Sequence, residues 1–169
     1  SYSRSDQVHA LATNNLDFVV DPVIPVSDEI DSFKVFEDDW VAMHRDGHHL
    51  ADIKNITIED ILNQRHLHVS NRRRGLHLID LELDKIGYRR EVALRCQHFL
   101  IAPQTSRSTD LVLMVTRSFA IANNLPFIEV PIEITSMEYF LIWHKSDEGD
   151  GGHLWMKDLI IKAFIDAKK

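Results

Sequence analysis

The residues of this chain with the widest chemical reach are its histidines, one cysteine and a few polar side chains at the ends of apolar runs. There are ten histidines and one cysteine. His44, His48 and His49 lie close together, and His66 and His68 share one face of an alternating segment. That face brings no third ligand, and neither an HExxH nor a CxxC spacing occurs, so a metal site is not expected. The histidines read as surface or structural. Cys96 has no identifiable base and orienting group, so it reads as buried and inert rather than as a nucleophile. No catalytic residue and no cofactor is expected.

Binding chemistry is better represented. Gln97 can donate and accept, His98 can change charge near neutral pH, and Phe99 can pack an aromatic ring. Ser70 and Asn71 offer a hydroxyl and an amide, and Arg72 a bidentate partner for a carboxylate. Asp21 ends another apolar run. Each has a plainer alternative: Phe99 as core, His98 as a satisfied partly buried histidine, Arg72-Arg73-Arg74 as a solvated basic patch, and Asp21 before Pro22 as a turn residue.

The elements that position these residues follow from periodicity. Gln7 to Asn14 has helix character, and a strand covers Leu16 to Val20. Phe33 to Phe36 and Trp40 to His44 read as extended runs split by Glu37-Asp38-Asp39. Ile58 to Leu62 reads as a short helix capped by Thr57, and His66 to Ser70 as a strand. Leu76, Ile79, Leu83 and Ile86 line one helix face, with Gly87 at the left-handed cap position. A strand at Val92 to Arg95 is followed by a helix over His98 to Ser108, with Pro103 tolerable only near its first turn. Leu111 to Val115 is a continuous apolar run, as buried parallel strands are. A helix over Arg117 to Asn123, strands over Phe127 to Val130 and Glu138 to His144, and a last helix with Trp155, Leu159, Ile160, Ala163 and Phe164 inward complete the chain. Strand-helix alternation predicts an α/β fold with a mostly parallel sheet. Such sheets bind ligands at strand carboxyl ends beside helix N-termini, which selects Asp21, Ser70 to Arg72 and Gln97 to Phe99. A helix starting at His98 would aim free N–H groups at an anion there.

The chain has 169 residues and a formal net charge of −7, with 44% hydrophobic and 27% charged residues. That balance fits one ordinary globular domain or two small lobes and argues against a stand-alone nucleic-acid binder. No run approaches the ~18 apolar residues of a membrane span. The start, Ser1-Tyr2-Ser3-Arg4, has no apolar signal segment and no Met, so a piece of a longer chain is expected. A lone cysteine fits a reducing, cytoplasmic compartment.

Several segments resemble, in order and spacing, the LysR-type transcriptional regulators. Ile58-Glu59-Asp60-Ile61-Leu62 through His68-Val69-Ser70 is similar to their "LEDLL…H-hydrophobic-x-S" segment. Arg89 to Pro103, then Ser108-Thr109-Asp110-Leu111, is similar to the "RRxVALxVxHFxxxP…xTDL" pattern of the nodulation and naphthalene-regulator branch. Tyr139 to His144 and His153 to Ile160 resemble that branch's WH strand and last helix.

The resemblance implies an effector-binding domain with a two-lobed type-2 periplasmic-binding-protein-like fold and no enzyme activity. Lobe I would comprise residues 1–44 and 138–169, and lobe II residues 45–137, with crossings near Trp40 to His44 and Glu138 to His144. A small aromatic or carboxylate-bearing effector would bind in the inter-lobe cleft, and the strand-end rule supplies its candidate contacts: Asp21, Ser70, Asn71, Arg72, Gln97, His98 and Phe99. Promoter DNA would be met only through a helix-turn-helix domain outside this chain, with a homodimer or homotetramer as the full-length state. Two departures stand out. The helix-turn-helix is absent, and so is the first strand-helix-strand of lobe I, a unit of about 30 residues. The rival readings are a solute-binding protein of a transporter, which shares the lobes, and a metal hydrolase using the histidines.

Overall fold

A computed structural model describes residues 4–70 and 77–166. The chain divides into two compact units, one of Ser1–Glu37 with Met137–Lys169 and one of Asp38–Ser136.

The first unit contains helix α1 (Arg4–Ala12) and strands β1 (Val19–Asp21), β2 (Ile30–Asp38) and β8 (Met137–His144), with helix α6 (Gly151–Asp166). The strand order is β1-β8-β2, and β1 runs antiparallel to β8 with Val19 opposite Ile142. Leu11, Ile30 and Ile142 form one buried group. Val35, Leu141 and Trp143 form another, against which Ile160, Ile161 and Phe164 of α6 pack. The expected apolar face of α6 is therefore corrected. Trp155 and Leu159 are exposed, as is Ala163, and the inward stripe is Ile160, Ile161 and Phe164. The helix is apolar on most sides, so its pattern does not select a face.

The second unit holds β3 (Trp40–Met43), α2 (Ile58–Leu62), β4 (Arg65–Val69), α3 (Leu78–Lys85), β5 (Glu91–Cys96), α4 (Ala102–Arg107), β6 (Leu113–Thr116), α5 (Arg117–Ala122) and β7 (Phe127–Glu129). The α/β class is as expected, but the sheet is not mostly parallel. β3 is the centre of β6-β3-β7 and runs antiparallel to both. β4 and β5 are parallel, and a parallel bridge joins His66 to Val112. The apolar run at Leu111 to Val115 reflects burial on both faces, and burial does not report strand direction. Trp40–Met43, all four residues buried, lies wholly in the second unit, and the chain passes between units at Glu37–Asp38 and Ser136–Met137.

Local chemistry sets the element ends. Thr57 caps α2 in a reciprocal box: its Oγ1 accepts from Asp60 N–H at 3.2 Å, and Asp60 Oδ2 accepts from Thr57 N–H at 2.8 Å. Gly87 follows α3 with φ +82°, a left-handed conformation open to glycine without strain. Ile79 and Leu83 are buried beneath α3, whereas Ile86 is exposed. Leu76 lies outside the described residues. The helix expected over His98 to Ser108 is shorter. Pro103 lacks an N–H and stands in the first turn, so α4 starts at Ala102. His98 to Ile101 form a turn closed by Ile101 N–H donating to His98 C=O at 3.1 Å.

Candidate effector-binding edge

The second unit gathers several of the expected residues at one sheet edge. Ser70 N–H donates to Cys96 C=O at 3.0 Å, continuing the parallel β4–β5 register in which Val69 faces Cys96. Ser70 therefore stands beside Gln97, where both strands release the chain. Gln97, His98 and Phe99 follow in order and are all exposed. Phe99 is not core. It is 48% exposed, and its ring meets that of Phe119 on α5 edge-on, centroids 5.7 Å apart. Cys96, half-buried, donates its thiol proton to His98 C=O at 3.6 Å.

The helix terminus expected at His98 lies farther along the chain. The helix begins at Ala102, four residues later than expected, so the amides of His98 to Leu100 belong to a turn, not to a helix terminus. What the edge offers is side-chain chemistry: an amide, an imidazole, a hydroxyl and a half-exposed ring.

Asp21 ends β1 in the first unit, and its Oδ1 accepts from Val23 N–H at 2.9 Å, the geometry of a turn residue before a proline-led segment. Asn71 and Arg72, with the rest of the Arg72-Arg73-Arg74 run, lie outside the described residues.

A polar concavity of about 170 Å³ was not expected. It lies in the second unit between Asp39, Trp40, Arg117, Glu129, Ile132 and Ile134. Arg117 pairs through both guanidinium nitrogens with Glu129, one contact at 2.7 Å, and stands 3.6 Å from Asp39 Oδ2. Hydrogen bonding to Glu129, then the nearby charges, raises the Arg117 pKa further. Ser136 donates its hydroxyl to Asp39 Oδ1 at 2.7 Å. Thr116-Arg117-Ser118 is also a strand end before a helix, so the rule that selected Gln97 applied here as well.

Three of the buried histidines each hydrogen-bond a backbone group. His48, fully buried, has Nε2 3.2 Å from Asp110 C=O while Nδ1 accepts from Leu50 N–H, which fixes the proton on Nε2. Burial lowers its pKa. His44 Nδ1 lies 2.8 Å from Arg45 C=O, so that nitrogen donates. His66, also fully buried, donates Nε2–H to Ile61 C=O at 3.0 Å, and its pKa is lowered to about 4, first by burial and then by the Arg90 charge. Among the described residues, no group of three or more His, Cys, Asp or Glu side chains is placed to hold a metal ion.

These features sit on a recognisable framework. Residues 1–164 match the family described as the LysR substrate binding domain, and the chain belongs to that family. It is 25% identical over 138 residues to the HTH-type transcriptional activator NagR of Ralstonia sp, covering 79% of this chain and 46% of that protein. It is 25% identical over 168 residues to the HTH-type transcriptional regulator LinR of Sphingobium indicum, covering 95% of this chain and 54% of that protein. The chain thus spans about half the length of these relatives. The fold superposes on the regulatory domain of MexT from Pseudomonas aeruginosa with TM-score 0.75, at 21% identity over 91% of this chain and 76% of that one. On the effector binding domain of QuiR, solved in complex with shikimate, the TM-score is 0.78 at 14% identity, over 98% of this chain and 79% of that one. The architecture is that of LysR regulatory domains, the type-2 periplasmic-binding-like fold.

Proposed function

We propose that this chain is the effector-sensing domain of a LysR-type transcription regulator. The observation that carries this is the family match across residues 1–164, joined to relatives that are themselves transcriptional regulators. The domain performs no chemistry. It binds a small molecule and converts binding into a change of conformational preference, for which a coupling of about 1–3 kcal/mol suffices. The full-length protein meets promoter DNA through a helix-turn-helix domain outside this chain, acts in the cytoplasm, and works as a homodimer or homotetramer.

The proposed effector contacts are Ser70, Gln97, His98 and Phe99, which share one sheet edge, with Asp21, Asn71 and Arg72 as further contacts chosen for their place at strand ends. The imidazole, amide and exposed ring support an aromatic or carboxylate-bearing effector. A transporter's solute-binding protein would share the fold, but the regulator names of the relatives favour the first reading. The hydrogen bonds that occupy His44, His48 and His66 support a non-catalytic role.

The test is a thermal-shift screen of the chain against small aromatic acids. A ligand specific to the native state raises the melting temperature, by an amount that grows with concentration over Kd. H98A and F99A, both at exposed positions, are expected to keep the unliganded melting temperature and lose the shift. A full shift in both variants would move the site elsewhere.

A further inference from the structure

Helix α3 is pinned to the β4–β5 pair by a buried polar cluster that the sensing role does not use. Arg90, whose side chain is 2% exposed, donates Nε–H to Asp80 Oδ1 at 2.6 Å. Its Nη2 donates to His68 Nδ1 at 3.3 Å. The His68 side chain is also 2% exposed, and its Nδ1 lies 3.7 Å from Asp80 Oδ2. That same Oδ2 accepts from His77 N–H at 3.2 Å, so Asp80 holds the first turn of α3 as well as Arg90. His77 lies edge-on to both His68 and Trp40, with centroids 5.2 Å and 5.9 Å away.

The tautomer follows from these contacts. Arginine only donates, so His68 Nδ1 must be bare and its proton sits on Nε2. Among the described residues, His68 Nε2 and Arg90 Nη1 are buried without hydrogen-bond partners. The cluster therefore holds one carboxylate, one guanidinium and one neutral imidazole, with an unfilled donor on each of the last two. Among the described residues, the charged and titratable groups around His68 are His66 on its own strand, Asp80 and His77 from the α3 side, and Arg90 and Arg95 from the β5 side.

We infer that His68 is a proton-operated switch on α3. Neutral, it accepts from Arg90 and leaves Asp80 to that arginine. On gaining a proton at Nδ1 it stops being an acceptor and presents an N–H to the guanidinium, with Asp80 Oδ2 its nearest anionic oxygen. Imidazolium and guanidinium then compete for one carboxylate, and the first turn of α3 loosens from β5. Burial, followed by the Arg90 charge, lowers the His68 pKa, so the neutral arrangement holds at pH 7 and the switch is thrown on acidification.

The experiment is amide hydrogen exchange on the 169-residue chain at about pH 7.5 and about pH 5, corrected for intrinsic rates, with H66Q and H68Q alongside. In the wild type and in H66Q, exchange across residues 78–96 is expected to quicken about tenfold at the lower pH, relative to strand β6. In H68Q, whose amide oxygen can accept from Arg90 without titrating, that quickening is lost. Equal quickening of β6 in the wild type, or an unchanged acid response in H68Q, overturns the switch. If H68Q does not fold, the His68 imidazole is titrated by NMR in the wild type. The switch requires its midpoint to coincide with that of the Asp80 and Leu81 amides, and separate midpoints overturn it.

Discussion

Asp38 closes the N-terminus of the helix that carries Ser118: its Oδ2 accepts the Ser118 hydroxyl at 2.5 Å, and both its oxygens lie 3.3 Å from the Ser118 N–H. Asp38 is the last residue of β2 and the first of the second unit, and it is 9% exposed. Arg117 N–H donates to Asp39 C=O at 2.8 Å beside it. Three successive bonds thus tie the start of α5 to the passage between units. D38A removes a side-chain cap and is expected to cost about 1–2 kcal/mol, read from the urea midpoint. D38N should lose less, because an amide oxygen still accepts.

The Arg90–Asp80 pair predicts a larger effect. Desolvation, the largest single influence, pushes the Asp80 pKa up, but the Arg90 hydrogen bond and charge, the His77 amide and His68 outweigh it and leave the carboxyl below its ordinary range. Deleting one partner strands a buried charge, so R90M is expected to destabilise by about 3–5 kcal/mol in chemical denaturation. Combining it with D80L should recover part of the loss, since a buried pair replaced by apolar groups leaves no orphan.

The sequence spacing already gave the second unit's carboxyl edge, and much of the fold was legible in the same way. Thr57 before Ile58, and Gly87 after an apolar stripe, predict helix ends because capping and left-handed backbone are local events. The ordered resemblance from Ile58 to Ile160 predicted the family. Other features depend on distant partners. Whether Leu111 to Val115 pairs parallel or antiparallel is decided by β3, about seventy residues earlier in the chain. Which side of α6 turns inward is decided by Val35 and Leu141, because Trp155 and Phe164 are equally apolar. Arg117, Asp39 and Glu129 were missed since their meeting requires three separate segments to converge. Phe99 was legible as an aromatic at a strand end, but its exposure and its edge contact with Phe119 were not.

Acid should destabilise the second unit through His66. Its folded pKa of about 4 lies below the 6.5 of the unfolded chain, so under pH 6.5 the unfolded state binds the extra proton and unfolding is favoured. The stability present above pH 6.5 is lost progressively as pH falls towards 4. One imidazole held neutral across that interval accounts for a loss on the order of 3 kcal/mol, with His68 acting in the same direction. Melting curves at stepped pH are expected to fall through this window, and to fall less steeply in H66Q.

At Gly87 the φ of +82° leaves open space around the α-carbon, so any penalty is purely conformational. G87A is expected to cost about 1 kcal/mol and G87N about half as much, because asparagine tolerates left-handed backbone. The melting temperatures of the three proteins check this.

The pairing of Val19 with Ile142 has a consequence for biosynthesis. The Asp38–Ser136 unit is contiguous and can complete its core as soon as the ribosome has released it, whereas the unit flanking it waits for β8 and α6 to emerge. Until then Leu11 and Val19 lack the contacts that Phe140 and Ile142 bring to their cluster, so the two units complete their cores in a set order.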